Sequence, residues 1–378
     1  MKYLTGFPYF PPNDIENIIV EIKEIISGNG LLTKGPKIKL FENNFAKSIE
    51  SEYAIAVNSC TSALEIALRM VGIKPDEEVI VPVQTFVSSG TSVINAGGNV
   101  IFCEVDDNHL IDFDDMKNKI TNKTKAVIIV HYLGLIHPEI FEIKKFLKQK
   151  GIFLIEDCAH SQGAKVNNVY AGNIGDVGCF SFYSTKITTC GGEGGLISTN
   201  NKTFFEIGSS IRSIGIDIKS NTEIFNRIGG NYRMSEIQAI IGIYQLNRLK
   251  DFIDHRNKIA KIYKEILYPL KQDKLIDFQN FPSSIDCSYW KFLILLKNNR
   301  LDRNYFKKEL AKSSIQIDWP YQPLLHLQPV FKKLYGNKKG SLIKSENLVM
   351  RSFCLPTHLG ILEKDAEFIS KKVLEAFH

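Results

Sequence analysis

Three short apolar runs of this 378-residue chain are each followed by residues that can do chemistry. In open α/β sheets, ligands bind outside the carboxyl ends of the strands. If the runs are parallel strands, the residues after them meet at one edge of a sheet. The runs and the residues after them are 53–57 with the small polar stretch 58–62, 152–155 with Asp157, and 177–182 with Lys186.

Each of these positions suggests a role and also has an ordinary explanation. Ser62 and Glu65 match the spacing of a capping box, and a helix N-terminus after small residues can bind a phosphate. Burial lowers the pKa of a lysine from ~10.4 and makes Lys186 a candidate nucleophile. Asp157 can keep a ring nitrogen protonated. Alone, these residues would be read as a helix cap, a solvated lysine and a loop cap.

Together, the three positions indicate one cofactor. Pyridoxal phosphate needs a lysine that holds its aldehyde as a Schiff base, a carboxylate facing its pyridine nitrogen, and a cradle for its phosphate. The sequence supplies Lys186, Asp157 and the helix start near 58–62 for these roles. The sequence therefore predicts pyridoxal 5'-phosphate as the cofactor.

The pattern of apolar runs predicts the elements that must position these residues. Several runs are continuously apolar, which is typical of parallel strands buried on both faces. Helical patterns such as 62–71 and 138–150 separate most of them, so we expect an α/β fold with a seven-stranded, mostly parallel sheet flanked by helices. The predicted strands are 53–57, 79–81, 100–103, 126–130, 152–155, 177–182 and 195–198.

The pattern changes after residue 250. Residues 1–250 are predicted to form a large cofactor-binding domain, within which 1–30 form an N-terminal helix and arm. Residues 251–378 combine helical and strand-like segments and are predicted to form a smaller C-terminal α+β domain.

Composition and motifs exclude several classes of protein. Apolar residues make up 44% and charged residues 23% of the chain, which is ordinary for a globular protein. A net charge of +6 is too weak for a nucleic-acid binder. The chain has no HExxH or CxxC, and Cys158-Ala159-His160 lacks a second ligand pair, so we expect no metal. Seven cysteines without a disulfide framework, and no apolar run that could be a signal peptide or membrane span, predict a cytoplasmic protein.

These motifs resemble those of the sugar-nucleotide aminotransferases of the DegT/StrS group. The resemblance covers almost the whole chain and implies the fold-type-I architecture of aspartate aminotransferase. It rests on Leu32–Pro36 with Phe41-Glu42, Asn58–Leu64, Pro82–Phe86, Glu156–His160 with Gly163-Ala164, Phe180–Lys186, Glu193–Gly195, Asn231–Met234 and His326–Pro329.

The resemblance also implies a role for each site residue. Lys186 and Asp157 are the expected catalytic residues: Lys186 holds the cofactor and later moves the proton, and Asp157 pairs with the pyridine nitrogen. The other expected cofactor contacts are Phe86 stacking on the ring, Cys60, Thr61 and Ser181 at the phosphate, His160 near the ring hydroxyl, and Asn231 reaching the phosphate of the neighbouring subunit in a homodimer with shared active sites.

Two departures from the family pattern bear on these roles. Ile187 follows the lysine where the family often has Asn, which removes a polar contact beside Lys186. Gln162 lies two residues beyond His160, so either side chain is a candidate for the ring hydroxyl. Tyr321 and His326 are expected to line the substrate pocket from the small domain, with a structural Pro-rich turn as the alternative.

The reaction implied by the resemblance is transfer of an amino group from L-glutamate to a keto group of a nucleotide-linked keto-sugar, for polysaccharide biosynthesis. A small phosphorylated ketone such as dihydroxyacetone phosphate is an alternative acceptor. A pyridoxal phosphate sugar dehydratase is a second alternative, although that branch carries His at the position of Lys186. A non-catalytic cofactor-binding regulator is a third, against which the presence of both Lys186 and Asp157 argues.

Overall fold

The computed structural model describes residues 2–220, 222–297, 302–319 and 321–377. Every predicted strand of the large sheet is present, with edges shifted by at most two residues. In chain order, the strands are β1 (Tyr53–Val57), β2 (Glu78–Pro82), β3 (Asn99–Cys103), β4 (Thr124–Val130), β5 (Phe153–Asp157), β6 (Lys165–Val166), β7 (Val169–Tyr170), β8 (Val177–Ser181), β9 (Gly195–Thr199), β10 (Ile276–Asp277), β11 (Ile285–Asp286), β12 (Phe292–Leu296) and β13 (Ser352–Leu355).

The large sheet has seven strands in the order β1-β9-β8-β5-β4-β2-β3. The neighbouring pairs β3–β2, β2–β4, β4–β5 and β5–β8 are parallel. Strand β9 runs antiparallel to both β1 and β8. The prediction of a mostly parallel sheet is therefore confirmed. Asp157, the last residue of β5, pairs with Val130 of β4 and with Cys179 of β8, so the carboxyl ends of these strands lie side by side.

Helices cover both faces of this sheet, and two separate apolar cores fill the space between the layers. The helices are α1 (Pro12–Glu24), α2 (Pro36–Ser48), α3 (Cys60–Met70), α4 (Val87–Asn95), α5 (Phe113–Lys119), α6 (Ile140–Gln149), α7 (Lys202–Arg212), α8 (Glu236–Asn247), α9 (Leu249–Ile266), α10 (Tyr268–Gln272), α11 (Arg303–Lys312), α12 (Pro329–Tyr335), α13 (Ile343–Met350) and α14 (Glu363–Glu375). A π-helical turn (Ile25–Asn29) and 3-10 turns (Tyr132–Gly134, Leu325–Leu327) complete the helical segments of the described residues.

Helix α3 begins earlier than the sequence predicts. Its N-cap is Ser59, whose Oγ accepts the N–H of Ser62 at 3.1 Å. The predicted capping box led by Ser62 is therefore wrong, because the Ser62 hydroxyl donates to Asn58 Oδ1 at 2.7 Å instead. This shift leaves the N–H groups of Cys60 and Thr61 at the open end of the helix.

The C-terminal part of the chain forms a three-stranded sheet, β10-β12-β13, with α9 packed against α14. The domain boundary predicted at residue 250 falls at the second residue of α9 and stays a prediction. Residues near the N-terminus lie against this region, since Tyr3 forms a bridge with Ile315. None of the helices in the described ranges combines the length and apolar character that crossing a bilayer requires.

Candidate active site

A cavity of about 510 Å³ opens at the carboxyl ends of the parallel strands. It brings together eight of the ten residues that the sequence assigns to the site, and Asn231 and His326 lie outside its lining among the described residues. The eight are Cys60, Thr61, Phe86, Asp157, His160, Ser181, Lys186 and Tyr321.

Asp157 lies buried at the end of β5, with hydrogen bonds donated to both of its oxygens. Ser89 Oγ donates to Oδ2 at 2.8 Å, and the N–H of Ala159 donates to Oδ1 at 3.1 Å. Burial raises the pKa of Asp157 above its ordinary value, while these hydrogen bonds and the charge of Lys186 act in the opposite direction. A buried carboxylate with this donor set gains from a cationic partner, such as a protonated ring nitrogen.

Lys186 follows β8 on a loop and is half-buried against the cavity. Burial lowers the pKa of Lys186 to about 8, with Lys291 acting in the same direction, whereas Asp157 and Cys60 oppose the shift. Its Nζ lies 4.1 Å from the centre of the Trp290 ring. Near neutral pH, a larger fraction of this amine is unprotonated than of a solvated lysine, which suits a nucleophile.

The open end of α3 has the geometry that suits an anion. The N–H groups of Cys60 and Thr61 find no partner within the described part of the chain, and Thr61 Oγ1 is hydrogen-bonded to Ser88 Oγ at 2.7 Å. A Cβ at Gly195 would lie 2.6 Å from Cys60 N, so only glycine lets β9 approach the helix start this closely. Burial raises the pKa of the Cys60 thiol well above its usual range, so the thiol stays neutral and does not repel a phosphate.

Phe86 presents its ring to the cavity from the start of α4. Its side chain is 53% exposed, although it lies among cavity-lining residues. The ring centre is 5.8 Å from that of Tyr321. An uncovered aromatic face at this place is suited to stack on a flat ligand.

His160 is held as a neutral donor. Its Nδ1 accepts the N–H of Leu133 at 3.3 Å, and its Nε2 lies 2.6 Å from the Tyr321 hydroxyl. Burial lowers the pKa of His160 well below its ordinary value, and Lys186 adds to the shift. The neutral ring with an acceptor Nδ1 carries its proton on Nε2, which donates to Tyr321.

Gln162, the alternative to His160, uses its side-chain amide in hydrogen bonds to other residues. Its amide Nε2 donates to the Ser181 carbonyl at 2.6 Å, and its Oε1 accepts from Thr188 N at 2.9 Å and Thr188 Oγ1 at 2.6 Å. The geometry therefore favours His160 at the cavity. Ile187 is buried in the apolar core, which explains why a polar side chain is not needed there.

The structure does not bring His326 or Asn231 to the cavity. His326 is buried in a 3-10 turn, and its Nε2 lies 2.9 Å from Glu346 Oε1. Glu346 also accepts the N–H of Gly340 at 2.8 Å, so His326 stabilises the segment before α13. Asn231 is exposed and pairs through its backbone with Ser213. The expectation that Asn231 reaches a neighbouring subunit stays a prediction.

Several residues that line the cavity were not identified as site residues from the sequence. Thr85 and Ser89 lie just beyond the carboxyl end of β2, where the sheet-edge argument applied to three other strands also predicts ligand contacts. Trp290 lies more than a hundred residues beyond Lys186 in sequence and comes from the region before β12. No local pattern connects it to the site.

A buried His131–Glu156–Cys158 cluster lies beside Asp157, with ligand atoms within 4.8 Å of one another. Glu156 Oε2 is 2.8 Å from His131 Nε2 and accepts the N–H of Gly172 at 3.0 Å. Its Oε1 accepts the N–H groups of Ile174 and Gly175. Both oxygens of the Glu156 carboxylate are therefore hydrogen-bonded, and these bonds hold the loop at 172–175 against β5.

Comparisons with known proteins agree with this geometry. The model of the DegT/DnrJ/EryC1/StrS aminotransferase family matches residues 12–374. The chain is 31% identical to GDP-perosamine synthase of Escherichia coli O157:H7, over 100% of this chain and 99% of the relative. It is 33% identical to GDP-4-keto-6-deoxy-D-mannose 3-dehydratase of Yersinia pseudotuberculosis, over 83% of this chain and 84% of the relative.

A solved structure shows the same fold. The aminotransferase from Psychrobacter cryohalolentis superposes with a TM-score of 0.92, covering 99% of this chain and 98% of that chain, at 23% sequence identity. At this identity the likeness concerns the fold, and it confirms the predicted fold-type-I architecture.

Proposed function

The chain belongs to the DegT/DnrJ/EryC1/StrS aminotransferase family, and we propose that it moves the amino group of L-glutamate to a keto group of a nucleotide-linked keto-sugar. Family membership makes it a pyridoxal-phosphate-dependent aminotransferase that acts in nucleotide-sugar chemistry. The glutamate donor, the particular acceptor and the residue roles are the proposal. Seven unpaired cysteines support the proposed cytoplasmic location.

One observation carries the proposal: Lys186, Asp157 and the open end of α3 line the same cavity. The residues fit pyridoxal phosphate, since Asp157 is a buried carboxylate, Lys186 is an amine with a lowered pKa, and Cys60 and Thr61 offer free N–H groups. When bound, this cofactor supplies an electron sink for the amino acid's α-carbon.

The side chains divide the work. In each half of the reaction, Lys186 Nζ takes a proton from one carbon and gives it to another, first as general base and then as general acid. Asp157 keeps a proton on the ring nitrogen that faces it. Cys60 and Thr61 bind the phosphate through the helix N-terminus, and Phe86 covers the ring.

The identities of the relatives support a nucleotide-linked acceptor over a small phosphorylated ketone, since one is a GDP-perosamine synthase. The similarity to a 3-dehydratase keeps dehydration as the alternative reaction. The lysine at position 186 favours transamination, because the dehydratase branch is expected to carry His there. Membership of an enzyme family overturns the non-catalytic alternative.

We also propose a homodimer with shared active sites. The segment before Asn231 carries exposed apolar side chains, and Ile228 is 88% exposed. Phe225 and Ile224 are exposed beside it. Apolar side chains this exposed are costly in water and are typical of an interface. Their position next to Asn231 supports the prediction that this asparagine reaches the partner's site.

The test begins with the cofactor linkage. Borohydride reduction of the yellow protein, followed by peptide mapping, is expected to place the cofactor on Lys186. The Lys186→Ala variant is expected to lose transamination while still binding the cofactor. Ordinary transamination rates in that variant would refute the assignment.

The substrates are tested separately. Release of 2-oxoglutarate is measured with L-glutamate as the donor. The amino form of the enzyme is then offered keto-sugar nucleotides and small keto-phosphates, and amine transfer is followed by mass spectrometry. Transfer to dihydroxyacetone phosphate but to none of the keto-sugar nucleotides would contradict the proposed acceptor.

A further inference from the structure

Trp290 contacts three parts of the active site at once. Its indole N–H donates to the carbonyl of Thr185 at 2.7 Å. Its ring centre lies 4.1 Å from Lys186 Nζ. The ring also stacks on His160, with centres 3.9 Å apart and planes tilted by 17°. The indole therefore touches the backbone before the lysine, the lysine's amine and the neutral histidine.

Trp290 is itself held firmly by its surroundings. Its side chain is buried, and its backbone N–H donates to the Leu133 carbonyl at 3.0 Å. Its carbonyl accepts from Arg256 Nη1 and from Thr357 Oγ1, both at 3.1 Å. A buried side chain on a backbone that is held at both its N–H and its carbonyl is able to position its neighbours.

We propose that Trp290 is a positioning residue that aims the amine of Lys186 and sets the plane of the His160 ring. The inference rests on the role of Lys186 in the proposed function. A lysine has a flexible four-carbon stem, so an amine released from the cofactor needs a partner to stay in place. The face of an indole attracts an ammonium, and the bond to Thr185 anchors the loop that carries the lysine.

Three variants separate this role from simple packing. Trp290→Phe keeps an aromatic face but loses the N–H that bonds Thr185, and Trp290→Leu loses both. The matched control is Trp319→Leu, which alters the chain's other tryptophan. Trp319 carries Arg303 at 4.4 Å over its ring and lies outside the cavity lining of the described residues.

The first readout is the pKa of Lys186 in the cofactor-free full chain, from the pH dependence of its reductive methylation followed by mass spectrometry. Trp290→Leu is expected to lower this pKa by about half a unit to one unit, because the site stays apolar and the ammonium loses the ring face. Trp290→Phe is expected to shift it less. Trp319→Leu is expected to leave it unchanged.

The second readout is the holoenzyme's kinetics. Both Trp290 variants are expected to lose on the order of tenfold or more in kcat with little change in the KM of the keto substrate, because a misaimed amine slows proton transfer. An unchanged Lys186 pKa in a folded Trp290→Leu variant would overturn the proposal. So would a loss confined to KM.

A third measurement leaves Trp290 in place, in case its variants fail to fold. In the Trp319→Phe background, Trp290 is the remaining indole, and its fluorescence in the cofactor-free chain is expected to change with a midpoint near pH 8, the pKa of Lys186 being about 8. The change is expected to vanish on adding Lys186→Met. Trp290 fluorescence that does not change with pH while Lys186 is present would refute the contact.

Failure of this inference is distinguishable from failure of the proposed function. If borohydride mapping places the cofactor on another lysine, the assignment of Lys186 fails whatever Trp290 does. If the cofactor maps to Lys186 but the Trp290 variants leave its pKa and kcat unchanged, the proposed function stands and only the positioning role is refuted.

Discussion

At the scale of single residues, the proposed roles depend on two ionisable groups, Lys186 and Asp157. Burial lowers the pKa of Lys186, which favours the free amine. Burial raises the pKa of Asp157, and its hydrogen bonds and a cationic partner act against that shift and favour the carboxylate. Asp157→Asn keeps the shape of the side chain and an oxygen for Ser89 or Ala159, but it removes the negative charge. Without that charge, the ring nitrogen loses its proton. We expect kcat to fall on the order of a hundredfold or more.

Ser89→Ala is the matched control for this prediction. It removes a single 2.8 Å hydrogen bond to Asp157 and leaves the carboxylate in place. The loss in kcat is expected to be far smaller than for Asp157→Asn. Steady-state kinetics with both variants, and cofactor absorbance to confirm loading, make the comparison. Equal losses would show that the hydrogen bond matters and the charge does not.

Lys186 also predicts how stability depends on pH. Burial lowers its pKa in the folded chain to about 8, below the value of 10.5 for an exposed lysine. The unfolded chain then binds more protons between these two values, so this group adds stability as the pH rises through that window. Below pH 8 the cost of burying the charge is fully present.

The cofactor-free Lys186→Met variant is therefore expected to be more stable than the unaltered chain at pH 7, by about 2 kcal/mol. The difference is expected to shrink as the pH rises from about 8 toward 10.5. Urea unfolding of both proteins at several pH values measures it. A difference that does not change with pH would show that the charge of Lys186 is not destabilising.

At the scale of elements, the proposed phosphate site at the start of α3 can be tested through the helix cap. Ser59 caps the helix and fixes the direction of the N–H groups of Cys60 and Thr61. Ser59→Ala is expected to cost about 1 kcal/mol of stability and also to weaken cofactor affinity. Asn201→Ala removes the equivalent cap of α7, which contributes no residue to the cavity lining in the described ranges.

The two cap variants are expected to lose similar stability in thermal unfolding, whereas cofactor affinity, measured by fluorescence titration, is expected to fall for Ser59→Ala alone. If both variants lost affinity equally, general destabilisation would explain the effect. The comparison thus distinguishes a cap that contributes to cofactor affinity from a cap that contributes only to stability.

The sequence predicts the strands of the large sheet well, but it does not predict the start of α3 or the contacts between distant segments. Continuous apolar runs mark the strands of the large sheet to within about two residues, because burial on both faces leaves little room for polar residues. The start of α3 is misplaced because Ser59 and Ser62 are both good caps, and only the fold decides that Ser62 bonds Asn58. The place of Trp290 in the cavity and the hydrogen bond between His326 and Glu346 depend on contacts between segments that are separated in sequence, and no local pattern encodes them.

At the scale of the whole molecule, the proposed homodimer makes the exposed segment around Ile228 an interface. Ile228→Asp is expected to shift the chain toward monomer in light scattering, because a charge in an apolar interface is left unpaired. Ile343→Asp alters another exposed isoleucine, at the start of α13, and is expected to leave the assembly unchanged. A fully dimeric Ile228→Asp protein would contradict the assigned interface.

Shared sites predict complementation between two defective chains. If Asn231 serves the partner's site, a mixed dimer of Lys186→Ala and Asn231→Ala chains has one site with both defects and one with neither. Random mixing makes half of the dimers mixed, and half of their sites intact, so about a quarter of all sites recover. At limiting cofactor, activity in the mixture is therefore expected to exceed the average of the two separate variants. If Asn231 serves its own chain, every site of the mixed dimer carries one defect, and mixing yields only that average.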